Sequence, residues 1–287
     1  MNDFLFYSPT EFHFGRGAEN AAGECCRALG ARRAVICYGG GSEASGNSVI
    51  TRRDGLKKIS LKTPKVLRPK FALMNPELTF TLPAYQTAAG ATDMIAHILE
   101  RYFNNTPATL VTDALSEALI REIVDVTPRV LDAPDNYDLR ACLMWSGTLA
   151  HNGICGTGVT EDWTSHFLEH EISAVYGVTH GAGLAVVSPA YQTFMATHHP
   201  ARIARLAHNV WGVTPTGDDK ADALSGIERM KAFLRRIGMP VTFAGLGIEH
   251  PDIPLLTRSL HAHKGNPVGN FFPLTPEDTT QIYTLML

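Results

Sequence analysis

From Thr81 to the end of the chain, apolar residues recur at the three- and four-residue spacing of amphipathic helices. Pro83 is well placed for a first helical turn, where the N–H that proline lacks would have no partner. The pattern predicts helices near residues 83–103, 108–125, 137–150, 162–176, 182–197, 200–211, 220–237 and 275–285. The second part of the chain is therefore predicted to be almost entirely helical.

The first eighty residues follow a mixed pattern. A helical stretch around 18–29 precedes the short apolar run Ala34–Tyr38, which predicts a strand, and Gly39-Gly40-Gly41-Ser42 follows it as a glycine turn. A second short strand is predicted at 71–74, where Asn75-Pro76 ends it. The chain between the two strands is predicted to be irregular, basic and rich in turns.

These two patterns divide the chain into a small α/β piece, residues 1–80, and a helical domain, residues 81–287. The α/β piece has too few strands for the five or six of a complete dinucleotide-binding sheet. We therefore predict a truncated nucleotide-binding domain followed by a larger, mostly all-α domain.

Composition narrows the function classes. The chain has 287 residues, 45% of them hydrophobic, which is ample for a packed core and excludes disorder as the main theme. The net charge of −3 makes nucleic acid a poor partner. The basic run from Lys57 to Lys70 is interpreted as a solvated loop.

The chain offers no sign of a membrane or an oxidising compartment. It has no apolar stretch long enough to span a bilayer, and its N-terminus lacks a basic segment followed by an apolar one. Its five cysteines lack the CxxC spacing of zinc ribbons and are too irregular for a disulfide framework. We therefore expect a cytoplasmic protein.

Asp93 and His97 are four residues apart on a predicted helix, so both side chains leave the same face. The pair by itself is more often a helix-stabilising contact than a metal site. The small residues 87–91 before it, however, suit close packing or a ligand cavity better than a solvated face.

Three more histidines, His166, His170 and His180, fall within fifteen residues. Together with Asp93 and His97 they favour a metal site, and imidazoles with one carboxylate suit Zn²⁺ or Fe²⁺ better than Mg²⁺ or Ca²⁺. Spacing cannot decide which two of the three bind. A purely local argument favours His166 and His170, because they share a helix face.

Several stretches together resemble the iron-containing alcohol dehydrogenases, and within them the NADPH-dependent butanol dehydrogenase branch. They are Ser48-Val49-Ile50-Thr51, Pro76-Glu77-Leu78-Thr79, Thr81-Leu82-Pro83, Gln86-Thr87-Ala88-Ala89-Gly90, Asp162-Trp163, Glu169-His170-Glu171, His180-Gly181-Ala182-Gly183, Val268-Gly269-Asn270-Phe271 and Pro273-Leu274-Thr275-Pro276-Glu277-Asp278. The resemblance covers nearly the whole chain.

The resemblance implies a dehydroquinate synthase-like architecture and a site that binds Fe²⁺ or Zn²⁺. Its four metal ligands correspond here to Asp93, His97, His166 and His180. The resemblance therefore implies His180, in place of His170, as the fourth ligand. His170 becomes a pocket residue near the metal, a catalytic candidate as proton relay. The resemblance also implies NADP(H) or NAD(H), a small primary alcohol or aldehyde such as butanol or butanal, and a homodimer.

The chain departs from the family in its nucleotide-binding part. Gly39, Gly40, Gly41 and Ser42 match the family's first glycine motif, yet they run directly into a stretch that is similar to its later Gly-Ser-Glu region. Roughly a hundred residues of a complete doubly wound domain are missing by this comparison. We interpret the difference as an internal deletion, and these four residues are the only cofactor-binding candidates.

Two functions therefore compete. The first is a metal-dependent alcohol dehydrogenase or aldehyde reductase that transfers hydride between NAD(P)(H) and its substrate. The alternative is a catalytically impaired metal-binding remnant that lacks a functional nucleotide site. A metal-dependent hydrolase ranks last, because only Glu169 or Glu171 could be tried as its general base.

Overall fold

The computed structural model describes residues 1–34, 48–52, 57–61 and 68–287. Residues 35–38 of the predicted first strand and the Gly39–Ser42 turn lie outside the described residues. Among the described helices, none combines the length and the apolar character needed to cross a bilayer.

Two separate pairs of short strands occupy the described part of the first eighty residues. Strand β1 (Glu11–Phe14) is followed by helix α1 (Ala22–Ala28), β2 (Ser48–Arg52), β3 (Lys57–Leu61) and β4 (Phe71–Met74). Strands β1 and β4 pair in parallel, and β2 and β3 pair antiparallel. The predicted strand at 71–74 is confirmed, whereas β1 was not predicted.

The prediction of irregular chain before residue 71 is wrong for β2 and β3. Each is only five residues long, and their register places Ile50 opposite Ile59. Short strands of this kind are stabilised mainly by cross-strand pairs rather than by the intrinsic preference of either strand.

From residue 84 onward the described chain is mostly helical, as predicted. The helices are α2 (Ala84–Tyr102), α3 (Leu110–Asp132), α4 (Tyr137–His151), α5 (Thr164–Tyr176), α6 (His180–His198), α7 (Pro200–Asn209), α8 (Asp219–Arg236), α9 (Ile253–Lys264) and α10 (Pro276–Thr284).

Two helices that contain a proline differ from the prediction. Helix α3 continues seven residues past its predicted end, through Pro128, because the buried Val126 and Val130 extend its apolar face. Helix α9 was not predicted at all. Its N-cap residue Asp252 accepts a hydrogen bond from the Leu255 N–H at 2.8 Å, and a proline occupies its first turn.

Helix α6 is the central element of the helical part. Nearly all its residues from Gly181 to Ala196 are buried, and it contacts α2, α5, α7, α8 and α10. A helix that is apolar on every side must be surrounded by other elements. Its first turn, with His180, therefore lies against the helices that hold the other candidate ligands.

Gly181 permits the close contact between α6 and α2. A Cβ atom at this position would lie 2.0 Å from the carbonyl oxygen of Ala89. We expect Gly181→Ala to destabilise the protein by about 1–3 kcal/mol, because the two backbones would have to move apart. The measurement is chemical denaturation of the variant and the wild type.

Gly90→Ala is the matched control, because a Cβ at Gly90 meets nothing within 4 Å. Alanine is favoured over glycine inside a helix by about 1 kcal/mol, so this variant should be as stable as the wild type or more stable. Equal stability of the two alanine variants would contradict the close-contact argument.

Candidate metal centre

Asp93 and His97 lie one turn apart on α2. The Asp93 Oδ1 atom is 3.7 Å from His97 Nε2. His97 is buried, whereas the Asp93 side chain retains 24% of its exposure. The four-residue spacing thus places both side chains on one helix face, as predicted.

His166 lies in the first turn of α5, and His180 is the first residue of α6. Helix α5 ends at Tyr176, and its C-cap residue Gly177 has a φ of 68°, in the left-handed region that favours glycine. The two imidazole rings are 5.4 Å apart between centroids. His166 Nε2 lies 3.7 Å and His180 Nε2 3.4 Å from Asp93 Oδ1.

The spacing of three of these donor groups fits one shared metal ion, because donor atoms of Asp93, His166 and His180 all lie within 4.8 Å of one another, whereas His97 is grouped with Asp93 and His151. Distances of 3.4–3.7 Å from Asp93 Oδ1 to the three imidazole nitrogens are too long for good hydrogen bonds. Two ligands at about 2.1 Å from a tetrahedral ion lie about 3.4 Å apart. Asp93 Oδ1 and His166 Nε2 are moreover buried without a hydrogen-bond partner among the described residues.

Two buried carboxylates orient the imidazoles of His166 and His180. His166 Nδ1 donates to Glu100 Oε1 at 2.7 Å, and His180 Nδ1 donates to Glu169 Oε2. Each Nδ1 therefore carries a proton, and Nε2 is the ring nitrogen that faces Asp93 and is available to an ion. This carboxylate–histidine arrangement is typical of metal-ligating histidines.

Replacing Glu100 by Gln is expected to weaken divalent metal binding by about 10–100-fold, the usual cost of losing such an orienting partner. The neutral amide holds the Nδ1–H of His166 less strongly and makes that imidazole a weaker ligand. The affinity can be measured by competition with a chromophoric chelator.

Glu117→Gln is the matched control for this measurement. Glu117 is also a buried carboxylate, but it accepts hydrogen bonds from Tyr102 on α2 and Arg205 on α7 and none from the candidate ligands. We expect this variant to lose stability while its metal affinity stays at the wild-type value. An unchanged affinity in the Glu100 variant would contradict the proposed orienting role.

His151, at the end of α4, is a site residue that the sequence analysis missed. Its Nε2 atom lies 3.6 Å from Asp93 Oδ2, and its ring is 4.1 Å from that of His97 between centroids. Its sequence neighbours carry no ligand pattern, so no local signal could have identified it. Only the packing of α4 against α2 brings it to the cluster.

Lys58 is a second missed residue, and it corrects the interpretation of Lys57–Lys70 as a solvated loop. The Lys58 side chain on β3 is only 11% exposed. Its Nζ donates to Glu169 Oε2 at 3.4 Å and lies 3.2 Å from His180 Nδ1. The side chain of Lys58 is therefore buried because it pairs with the buried carboxylate of Glu169 on α5.

His170 lies beside His180, with 5.5 Å between their ring centroids, and both of its nitrogens are buried without a partner among the described residues. Glu169, His170 and His180 form a three-donor set of their own, separate from Asp93. Burial and then the positive charge of Lys58 lower the pKa of His170 far below its usual range. The imidazole is therefore neutral at pH 7.

The electrostatics of the cluster centre on Asp93. Burial alone would raise the pKa of this carboxyl, but the surrounding imidazoles, His97 first among them, hold it well below its usual range. Burial alone would also lower the pKa of His166, but the carboxylates of Asp93 and Glu100 raise it to about 9. Asp93 is therefore ionised at neutral pH and supplies the negative charge that a cation needs.

The helical part of the chain matches a known family. The family described as Fe-containing alcohol dehydrogenase, C-terminal, matches residues 87–287. The NADH-dependent butanol dehydrogenase B of Clostridium acetobutylicum is 33% identical over 245 residues, which are 85% of this chain and 63% of that protein. The NADPH-dependent aldehyde reductase YqhD of Escherichia coli is 32% identical over 244 residues, 85% of this chain and 62% of that protein.

Solved structures agree on the fold. The NADH-dependent butanol dehydrogenase A of Thermotoga maritima superposes with a TM-score of 0.91 at 26% identity, over 100% of this chain and 99% of that one. The E. coli protein YqhD superposes with a TM-score of 0.90 at 22% identity, over 100% and 99% of the two chains. In the sequence alignments, this chain spans about 63% of the length of the curated relatives.

Proposed function

The chain belongs to the Fe-containing alcohol dehydrogenase family, and from this premise we propose that it is a metal-dependent alcohol dehydrogenase or aldehyde reductase. The proposed reaction transfers hydride between NAD(P)(H) and a small primary alcohol or aldehyde. One observation carries the proposal: Asp93 Oδ1 lies 3.4–3.7 Å from the Nε2 atoms of three imidazoles. Relatives named as butanol dehydrogenases and an aldehyde reductase support the substrate class.

In this proposal Asp93, His97, His166 and His180 hold Fe²⁺ or Zn²⁺. The ion, when bound, supplies Lewis acidity to the oxygen of the alcohol or aldehyde. With all four residues as ligands, the substrate oxygen would bind as a fifth ligand, an expansion that catalytic zinc permits. The choice between the two metals stays open, because both accept imidazole with one carboxylate.

The surrounding residues hold protons and charge in fixed places. Glu100 and Glu169 accept the Nδ1 protons of His166 and His180, so that Nε2 is the nitrogen offered to the ion. With its raised pKa, His166 would release its Nε2 proton when the ion binds. Lys58 places a positive charge beside Glu169 and thereby offsets one of these buried carboxylates. We assign the neutral His170 to the pocket as the group that exchanges a proton with the substrate oxygen.

Cofactor binding is the part of the proposal that depends most on the nucleotide-binding domain, where this chain is interpreted to be shorter than its relatives. The candidate residues Gly39, Gly40, Gly41 and Ser42 lie outside the described part of the chain. We propose NADP(H) or NAD(H) as the cofactor, since the relatives' names include both NADH- and NADPH-dependent enzymes. The length difference from these relatives is assigned to the nucleotide-binding domain, residues 1–80. The predicted homodimer and cytoplasmic location stay predictions.

A single preparation tests the function. The full chain is loaded with Fe²⁺ or Zn²⁺, its metal content is measured, and butanal-dependent oxidation of NADPH and NADH is followed by absorbance. Thermal-shift titration with each nucleotide is run in parallel, because a ligand that binds only the native state raises the melting temperature. Turnover together with a shift supports the proposal.

Bound metal without turnover or any nucleotide-induced shift would overturn the dehydrogenase proposal and favour the metal-binding remnant. Failure to bind a divalent ion would overturn the metal centre itself. The two outcomes are therefore distinguishable in one experiment.

A further inference from the structure

His151 is held in one tautomer by its own helix. Its Nδ1 atom lies 2.7 Å from the carbonyl oxygen of Gly147, one turn earlier on α4. A carbonyl oxygen only accepts, so Nδ1 carries the proton and the neutral ring has its lone pair on Nε2. Only 4% of the side chain is exposed. The ring is therefore fixed in orientation, as the imidazole of a metal ligand usually is.

The free Nε2 atom of His151 faces the second oxygen of Asp93. It lies 3.6 Å from Asp93 Oδ2 and is buried without a hydrogen-bond partner among the described residues. Two atoms that can only accept thus face each other beyond hydrogen-bond distance. A cation between them satisfies both.

A second set of three donors exists around this pair. Donor atoms of Asp93, His97 and His151 all lie within 4.8 Å of one another, and so do those of Asp93, His166 and His180. The two sets share the carboxylate of Asp93. His151 faces Oδ2 of this carboxylate, whereas His97, His166 and His180 face Oδ1.

We propose that His151 is an additional metal ligand, which with Asp93 and His97 forms an alternative position for the ion of the metal centre. This inference rests on the metal centre of the proposed function. The two positions are occupied alternately by one ion, because both use the carboxylate of Asp93 and the imidazole of His97, whose inward nitrogen binds only one ion at a time. The alternative position retains the ion whenever His166 or His180 is not bound to it.

The charges around the alternative position permit a cation to bind there. Arg101 donates to the carbonyl oxygens of His97 and Ala150, which places its positive charge close to this position. Its guanidinium is paired with Glu161, with Nε 3.0 Å from Oε1. The local positive charge is therefore largely neutralised before an ion arrives.

A double-mutant cycle on metal affinity tests the proposal. The wild type, His151→Leu, His180→Ala and the double variant are titrated with Zn²⁺ or Co²⁺ against a chromophoric chelator. We expect His151→Leu to raise the Kd less than about threefold alone but more than about tenfold in the His180→Ala background, since interacting ligands are not additive.

Spectroscopy adds a readout that a merely structural role would not change. In the His180→Ala background, pulsed electron paramagnetic resonance of bound Cu²⁺ should detect one imidazole fewer when His151 is also replaced. His151→Gln, which keeps a polar group at this site, is a second variant in case the leucine variant does not fold. His250→Leu, at an exposed position, is the control and should leave the Kd unchanged in both backgrounds.

The outcomes separate this inference from the proposed function. Equal effects of His151→Leu in both backgrounds, with normal metal binding by the wild type, would overturn the role of His151 alone. Two ions bound per chain would also overturn it, because occupancy would then not be alternate. Absence of metal binding by the wild type would overturn both proposals.

Discussion

Asp93→Asn is expected to abolish metal binding and, with it, any alcohol or aldehyde turnover. Asp93 is the only carboxylate in the two donor sets proposed to hold the ion, and it lies 3.4–3.7 Å from nitrogen atoms of four imidazoles. Loss of an orienting partner alone costs about 10–100-fold in affinity, so loss of this charged ligand should cost more than about 100-fold. We expect no other single substitution in the site to lower the metal affinity more.

The measurement is the metal content of the purified variant after dialysis against a fixed concentration of Zn²⁺ or Fe²⁺. Asp125→Asn is the matched control, since Asp125 is an exposed carboxylate on α3 that pairs with Arg129 one turn later. The control should keep the wild-type metal content. A stoichiometric ion in a folded Asp93 variant, judged by circular dichroism, would contradict the proposed centre.

Asp113→Asn is expected to give the largest loss of stability, about 2–3 kcal/mol, in the range measured for hydrogen bonds to charged groups. The buried Asp113 on α3 accepts hydrogen bonds from Arg202 on α7 at 2.8 and 2.6 Å and one from Thr109 at 3.0 Å. Arg205 lies 3.1 Å away. The neutral amide would leave Arg202 without its carboxylate partner and Arg205 with Glu117 alone.

The stability lost in Asp113→Asn should become smaller as the pH falls. Burial raises the pKa of Asp113, but the hydrogen bonds from Arg202 and Thr109 and the charge of Arg202 lower it by a larger amount. The folded-state pKa therefore lies below the unfolded value of about 3.9. The unfolded state therefore binds more protons between the two values, and the stabilisation is complete above about pH 4. It is lost as the pH falls through the folded-state pKa.

Denaturant titrations of the wild type and Asp113→Asn should therefore give a constant difference in the free energy of unfolding from about pH 5 to 7 that shrinks below about pH 4. Glu228→Gln is the control, because Glu228 is exposed and its pair with Lys231 contributes little. A difference that grows as the pH falls would contradict the depressed pKa of Asp113.

Local patterns predicted the helical part well because each helix depends mainly on residues close to it in sequence. Helices α2, α4, α5, α7 and α8 begin and end within about two residues of their predicted bounds, the error common to helix ends. The Asp93–His97 pair followed from the same local rule, because a helix face repeats every three to four residues. Strand β1, which depends on its distant partner β4, was missed, and so were β2 and β3, which pair with each other close in sequence.

The four candidate ligands required more than periodicity. The local rule favoured His166 with His170, which share a face of α5, whereas the family resemblance implied His180. The structure has His180 Nε2 3.4 Å from Asp93 Oδ1, and it has His170 in a separate donor set with Glu169. The chain reversal at Gly177 produces this arrangement, and helical spacing does not encode such a reversal.

By itself, the sequence determined the predominantly helical second part, the shared face of Asp93 and His97, and through its motifs the family. Only the tertiary structure decided that Lys58 and His151 join the site and that Glu100 and Glu169 orient its imidazoles. The physical reason is the range of the interactions. Helical periodicity acts over three or four residues, whereas Lys58, Glu100 and His151 meet their partners 58 to 111 positions away along the chain.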